Sequence, residues 1–332
     1  MRGLIFLTID APENLLFPFL LYRTKDERSV ASLCSTCAEQ QVLSECNHTG
    51  MDRYITGTYT SLEINYALKL GYKIIHIYEI WHWGKEAPIF RRFMQLLIRK
   101  KVMYSGFPAI IKSYDQKQNY CQSINANLLL PKELYLRPVD IEEDKKKRQY
   151  YKLLSCSLLG KVSQSNLFPK DLYVSHGQDF DEYFYSTKGT IEDFDLINAS
   201  TLYLKFKPKK ESAPVNRSGN CVLSAFTTAH GRKNMHQAIM KLDNAGCQVF
   251  SQEADALVFT KKKSTEMPLD IGYHIGQFSH QHTDIKHYST LGPKTSHTRW
   301  SNGGQYLSEL KYKGLNLNGE TASKQFTDSI DK

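Results

Sequence analysis

The sequence has no apolar run long enough to cross a bilayer, where a helix needs about 20 predominantly apolar residues. It also has no basic amphipathic helix and no lipidation motif, so no membrane partner is expected. No signal peptide is expected either: Met1–Leu7 is too short for one and runs on through Thr8, Ile9 and Asp10 as a strand. Cysteine is scarce for a disulfide framework. There are seven, an odd number at uneven spacing, which points to reduced thiols inside a cell.

What is present fits a globular chain with an anionic partner. The 332 residues are 41% hydrophobic and 23% charged, enough to bury a core in two or three subdomains. The formal net charge is +9. With no membrane signal beside it, that excess of Lys and Arg favours nucleic acid.

Two short apolar runs, Val249-Phe250 and Leu257-Val258-Phe259, meet at Glu253 and Asp255. They read as a β-hairpin with the acids at its tip. Convergent carboxylates suit a hard cation such as Mg²⁺; the same turn also reads as a solvated acidic loop. Upstream, Cys34, Cys37, Cys46 and His48 make C-x2-C-x8-C-x-H. Thiolates and imidazole suit tetrahedral Zn²⁺, and the alternative is four unliganded side chains in a loop insertion.

Around these, Gly3–Ile9 and Arg53–Tyr59 read as strands, and Thr60-Ser61-Leu62-Glu63 as a capping box opening a helix that Gly71 stops. Tyr72–Trp83 returns as a strand, with His76 and His82 on one face as interface or core histidines. Pro88–Lys101 reads as an amphipathic helix. The segment from Glu142 to Gln164 holds Arg148 and Lys152 one helical turn apart, a pair of cations fit for a triphosphate. Asn220–Leu242 is a further helix, stopped at Gly246. The spacing of His280, His282 and His287 invites a metal reading that ordinary surface histidines outweigh, and residues 165–215 are turn-rich with no visible chemistry.

In register, the acidic hairpin resembles the Y-x-D-T-D-S hairpin of family B DNA polymerases, with Ser251 and Ala256 in place of Tyr and Ser. The order C-x-x-C-A-E, C-x-H, G-T-Y-T-S-L-E, G-Y-K-I-I-H-I-Y-E-I-W-H-W and S-G-F-P is similar to the protein-primed branch of that family, in the form found in Maverick/Polinton transposons, adenoviruses and linear plasmids. The resemblance runs from Gly3 to about Leu317. It implies an α+β right-hand polymerase: a palm of antiparallel sheet with packed helices, helical fingers, and insertions. It divides the chain into residues 1–110 (palm entry and first insertion, with the zinc loop), 111–164 (fingers), 165–215 (second insertion), 216–298 (palm with the acidic hairpin) and 299–332 (start of the thumb).

Site residues follow from the same resemblance. Asp255, with Glu253 beside it, takes the catalytic Mg²⁺ position. Arg148 and Lys152 approach the phosphates of the incoming dNTP, and Gly160 lies under the nascent base pair, although Cys156 and Leu159 depart from the family's Asn and aromatic. Arg232, in the T-A-x-x-R helix, Lys294, in G-P-K-x-Y with Ser296 for Tyr, and Lys313, in K-x-K-G, contact primer-template DNA. The first insertion meets a priming terminal protein. Nucleotidyl transfer to a primer 3′-oxygen uses two metals about 3.5 to 4 Å apart, and the family's first acid lies in a D-x-x-S-L-Y-P strand that this sequence lacks, as it lacks an exonuclease domain. The expectation is therefore a DNA-directed DNA polymerase represented by a portion that is inactive alone; the alternative is a non-catalytic remnant that binds DNA or a protein.

Overall fold

A computed structural model of the chain describes residues 2–312 other than 43, 166, 213–218 and 293. Lys313 lies outside the described residues. The fold is α+β, built from antiparallel sheets and, among the described residues, seven α-helices.

The first part comprises β1 (Gly3–Asp10), a short hairpin of β2 (Leu21–Arg23) and β3 (Ser29–Ala31), α1 (Ser35–Gln40), β4 (Ile55–Thr60), α2 (Ser61–Lys69) and β5 (Lys73–His82). The main sheet has the order β4-β1-β5, with Ile9 opposite Ile55 on one side and Ile74 on the other. Alternation along β1 sends Leu7 and Ile9 to the face where Ile64 and Ala67 of α2 cover them. Gly3 is required by contact: a Cβ there would come within 2.4 Å of the Trp81 carbonyl oxygen. The expected capping box forms. Thr60 Oγ1 accepts from the Glu63 backbone N–H at 3.2 Å, while Glu63 Oε2 accepts from Thr60 N–H at 2.9 Å.

Next come α3 (Arg91–Met103), α4 (Tyr114–Asn127) and α5 (Lys145–Ser163). Val102 of α3, Ile111, and Tyr120, Cys121 and Ile124 of α4 share one core, so packing runs straight across the 110/111 division. Asp144 caps α5 by accepting from Lys147 N–H at 2.9 Å. A separate sheet follows from β6 (Lys170–Val174), α6 (Gly177–Phe184), β7 (Gly189–Asn198) and β8 (Thr201–Pro208), in the order β6-β8-β7. Residues 170–208 thus hold three paired strands and a helix in a stretch that reads as turn-rich. The β7–β8 turn explains the difference: it carries Ala199 and Ser200 in place of Gly or Pro, and Asn198 Oδ1 fixes it by accepting from Ser200 N–H at 2.9 Å.

The long α7 (Cys221–Asn244) leads through left-handed Gly246 into the hairpin of β9 (Gln248–Glu253) and β10 (Ala256–Thr260). β11 (Ile285–Gly292), β12 (Thr295–Asn302) and β13 (Gln305–Lys311) then form a meander. The 298/299 division falls inside β12, which pairs with strands on both sides. α7 is the spine. Its buried Ala229, Met235, His236, Ala238, Ile239 and Leu242 contact α2, α5, β4 and β9.

His236 bridges α7 to the first part of the chain. One ring nitrogen lies 2.9 Å from the Phe17 carbonyl oxygen and the other 3.0 Å from the Tyr66 hydroxyl, which the neutral ring satisfies by donating to the first and accepting from the second. Burial holds its pKa below the ordinary 6.5, against a smaller opposing effect of the Phe17 carbonyl. The unfolded chain therefore binds the proton more readily, and stability present above about pH 6.5 is lost as the pH falls below it. Between pH 7 and pH 5 the native chain should lose more thermal stability than His236→Gln, measured by circular dichroism melts; equal losses would remove His236 from this role.

Candidate metal centre and acidic cleft

Cys34 stands at the N-cap of α1, where its sulfur accepts from Cys37 N–H at 3.5 Å. The first turn of the helix then sets Cys37 beside it. Ser35 and Thr36 hydroxyls both donate to the Asp52 carbonyl, at 3.2 and 2.7 Å, and this draws the segment after His48 back over the knuckle. His48 Nδ1 lies 3.6 Å from Cys34 Sγ, 3.4 Å from Cys37 Sγ and 3.7 Å from Cys46 Sγ. All four ligand atoms lie within 4.8 Å of one another.

These separations fit a tetrahedral site. Zn–S bonds of about 2.3 Å and a Zn–N bond of about 2.0 to 2.1 Å give S···N edges of about 3.5 Å. The set could therefore bind a metal such as zinc, with three sulfurs and one nitrogen and no position left open. Its electrostatics agree. Burial, then the neighbouring Cys46 and Cys34, pushes the Cys37 thiol up to about 12. The His48 backbone N–H, ahead of its ring and the other thiols, draws Cys46 down to about 7. Three sulfurs this close resist ionising together, and a divalent cation is what makes the fully deprotonated set stable.

The acids of the second site sit at the end of β9–β10, where Glu253 pairs with Ala256 across the turn residues Ala254 and Asp255. Ala254 is left-handed at φ 49°, a conformation that glycine holds at lower cost. Val249, Leu257 and Phe259 of the hairpin pack on Ala238 and Leu242 of α7, so the turn is anchored to the spine. Glu253 and Asp255 open on a cleft of about 720 Å³ between this hairpin and the β11–β13 meander, with Lys261, Lys286 and Lys311 along it. Among the described residues, the Cys/His set is the one grouping of three or more potential ligands. Neither Glu253 nor Asp255 belongs to such a grouping, although Asp284 and Glu309 line the same cleft.

The remaining expected residues lie apart from that cleft or at its margin. Arg148 and Lys152 are exposed on α5, and Arg148 Nε donates to Ser105 Oγ at 3.3 Å. Gly160 faces open space. Lys294 is exposed in the β11–β12 turn with φ 59°. Arg232 is turned onto buried Glu63 in an ion pair, with about a third of its side chain left exposed. The physical reason is the carboxylate: at 5% exposure it requires a counter-charge. His282 lies 3.5 Å from Glu309 and stacks on Trp300, and no metal set forms from His280, His282 and His287.

The chain matches no family model, no curated protein and no solved structure. No helix among the described residues is long and apolar enough to cross a membrane.

Purified chain should carry about one Zn²⁺, and Co²⁺ exchanged into it should give the visible absorption of tetrahedral thiolate ligation. Cys34→Ser should release the metal. Metal-free protein by elemental analysis, with no cobalt spectrum on reconstitution, would sink the assignment.

Proposed function

We propose that the chain is a portion of a protein-primed family B DNA polymerase, acting in DNA replication by transferring nucleotides from dNTPs to a primer 3′-oxygen. The observation that carries this reading is the acidic turn, braced by α7 and opening on a cleft with lysines along it. A hard cation would sit at the carboxylates and a polyanion along the ammonium groups, of which Lys286 and Lys311 would exchange Asp284 and Glu309 for phosphate.

In this reading Asp255 holds Mg²⁺, assisted by Glu253, and the bound ion neutralises charge on the phosphoryl oxygens. Arg148, on leaving Ser105 Oγ, and the exposed Lys152 of α5 take the triphosphate. The open space beside Gly160 leaves room for a base pair to pass close to the helix backbone. Lys294 contacts the primer strand. Residues of the first part of the chain, with the Cys/His loop, meet the priming terminal protein.

A two-metal reaction needs carboxylates from more than one strand, and among the described residues no grouping of three or more potential metal ligands includes Glu253 or Asp255. That observation favours a second reading beside the first: a non-catalytic, polymerase-derived protein that binds DNA or a partner. Primer extension separates them. The chain alone should be silent with Mg²⁺ and Mn²⁺. Joined to a palm segment carrying D-x-x-S-L-Y-P it should extend primers, and Asp255→Asn in that fusion should lower the rate by about a hundredfold or more. A fusion that stays silent, or one indifferent to Asp255→Asn, would overturn the polymerase reading and leave the binding role.

A further inference from the structure

β5 is an edge strand, paired with β1 on one side. All ten of its residues are exposed, and they are mostly apolar: Ile75 is 46% exposed, Tyr78 55%, Ile80 52% and Trp81 61%. Such an edge presents unpaired backbone groups to any strand of matching character, and natural edges are normally blunted by proline, short length or several lysines. β5 has no proline and one lysine. It pairs with β1 from Gly3 to Asp10, with two bulges in the register.

The charges of β5 indicate what covers it. Lys73 lies opposite Asp10 and Glu79 opposite Phe6 in β1. Phe6 and Asp10 are four residues apart on one strand, so Lys73 and Glu79 emerge on the same face of the sheet. Two copies of β5 running antiparallel, in the register that sets Lys73 against Glu79 of the second copy, bring opposite charges together twice. The same register sets Ile75 against Ile77. A parallel arrangement in register would instead align like charges, and an unrelated apolar strand would not carry the reciprocal pair.

We propose that two copies of this chain associate through β5, antiparallel, joining their β4-β1-β5 sheets into one continuous sheet. The interface is independent of the polymerase reading, since it uses neither the acids nor the Cys/His set.

Light scattering on the full chain across a concentration series tests it. The native chain should form a dimer. Lys73→Glu should weaken the dimer on the order of tenfold, because like charges then oppose each other at two symmetry-related places. Lys73→Glu combined with Glu79→Lys should restore it, and Ile75→Lys should dissociate it. All these side chains are exposed, and circular dichroism will verify that each variant is folded. A monomer at every concentration would overturn the proposal. So would a dimer indifferent to Lys73→Glu and Ile75→Lys, or a double variant no tighter than Lys73→Glu alone.

Discussion

The buried carboxylate of Glu63 is the interaction from which the rest of the arrangement follows. One of its oxygens closes the capping box at the start of α2, accepting from Thr60 N–H and Oγ1, and the other receives Arg232 of α7. A buried carboxylate deprived of its cation is costly, about 3 to 5 kcal/mol for a broken buried pair, and loss of a helix cap adds about 1 kcal/mol. The sheet, α2 and α7 are thereby held as one unit. His236, one turn further along α7, adds the contacts to Tyr66 and Phe17. Because the C-terminal half of α7 carries the acidic hairpin on Ala238 and Leu242, the position of Asp255 is traceable through α7 to Glu63.

The Cys/His loop is tied to the same sheet by different means. It lies between β3 and β4, and Arg53, just beyond it, is buried, with its guanidinium donating to the Ala11 carbonyl at 3.1 Å. Three thiols and an imidazole in a closed tetrahedral set suit a structural metal such as zinc. The acids at the cleft offer hard oxygen atoms instead, with Asp255 exposed and Glu253 half-buried.

The elements that were legible in sequence are those in which local signal and tertiary role coincide. T-S-L-E is both a capping motif and the seat of Glu63, the C-x2-C-x8-C-x-H spacing brings its four ligand atoms together, and the apolar runs around Glu253 and Asp255 form the expected hairpin. Elsewhere the signals were weak for identifiable reasons. α4 is largely polar, and only Tyr120, Cys121, Ile124 and Asn125 are buried. β12 is rich in Ser, Thr and His, so its buried Ser296, His297 and Thr298 leave no apolar alternation. Nothing local in the T-A-x-x-R motif reveals that Arg232 pairs with a carboxylate 169 residues away.

The central claim is that Asp255 holds a divalent ion for chemistry on DNA. Mn²⁺ takes the same oxygen ligands as Mg²⁺, and its binding can be followed by electron paramagnetic resonance on zinc-loaded chain in the presence of primer-template and dNTP. The account predicts a bound Mn²⁺ signal in the native chain that is lost in Asp255→Asn. Equal Mn²⁺ binding by the two proteins would contradict it.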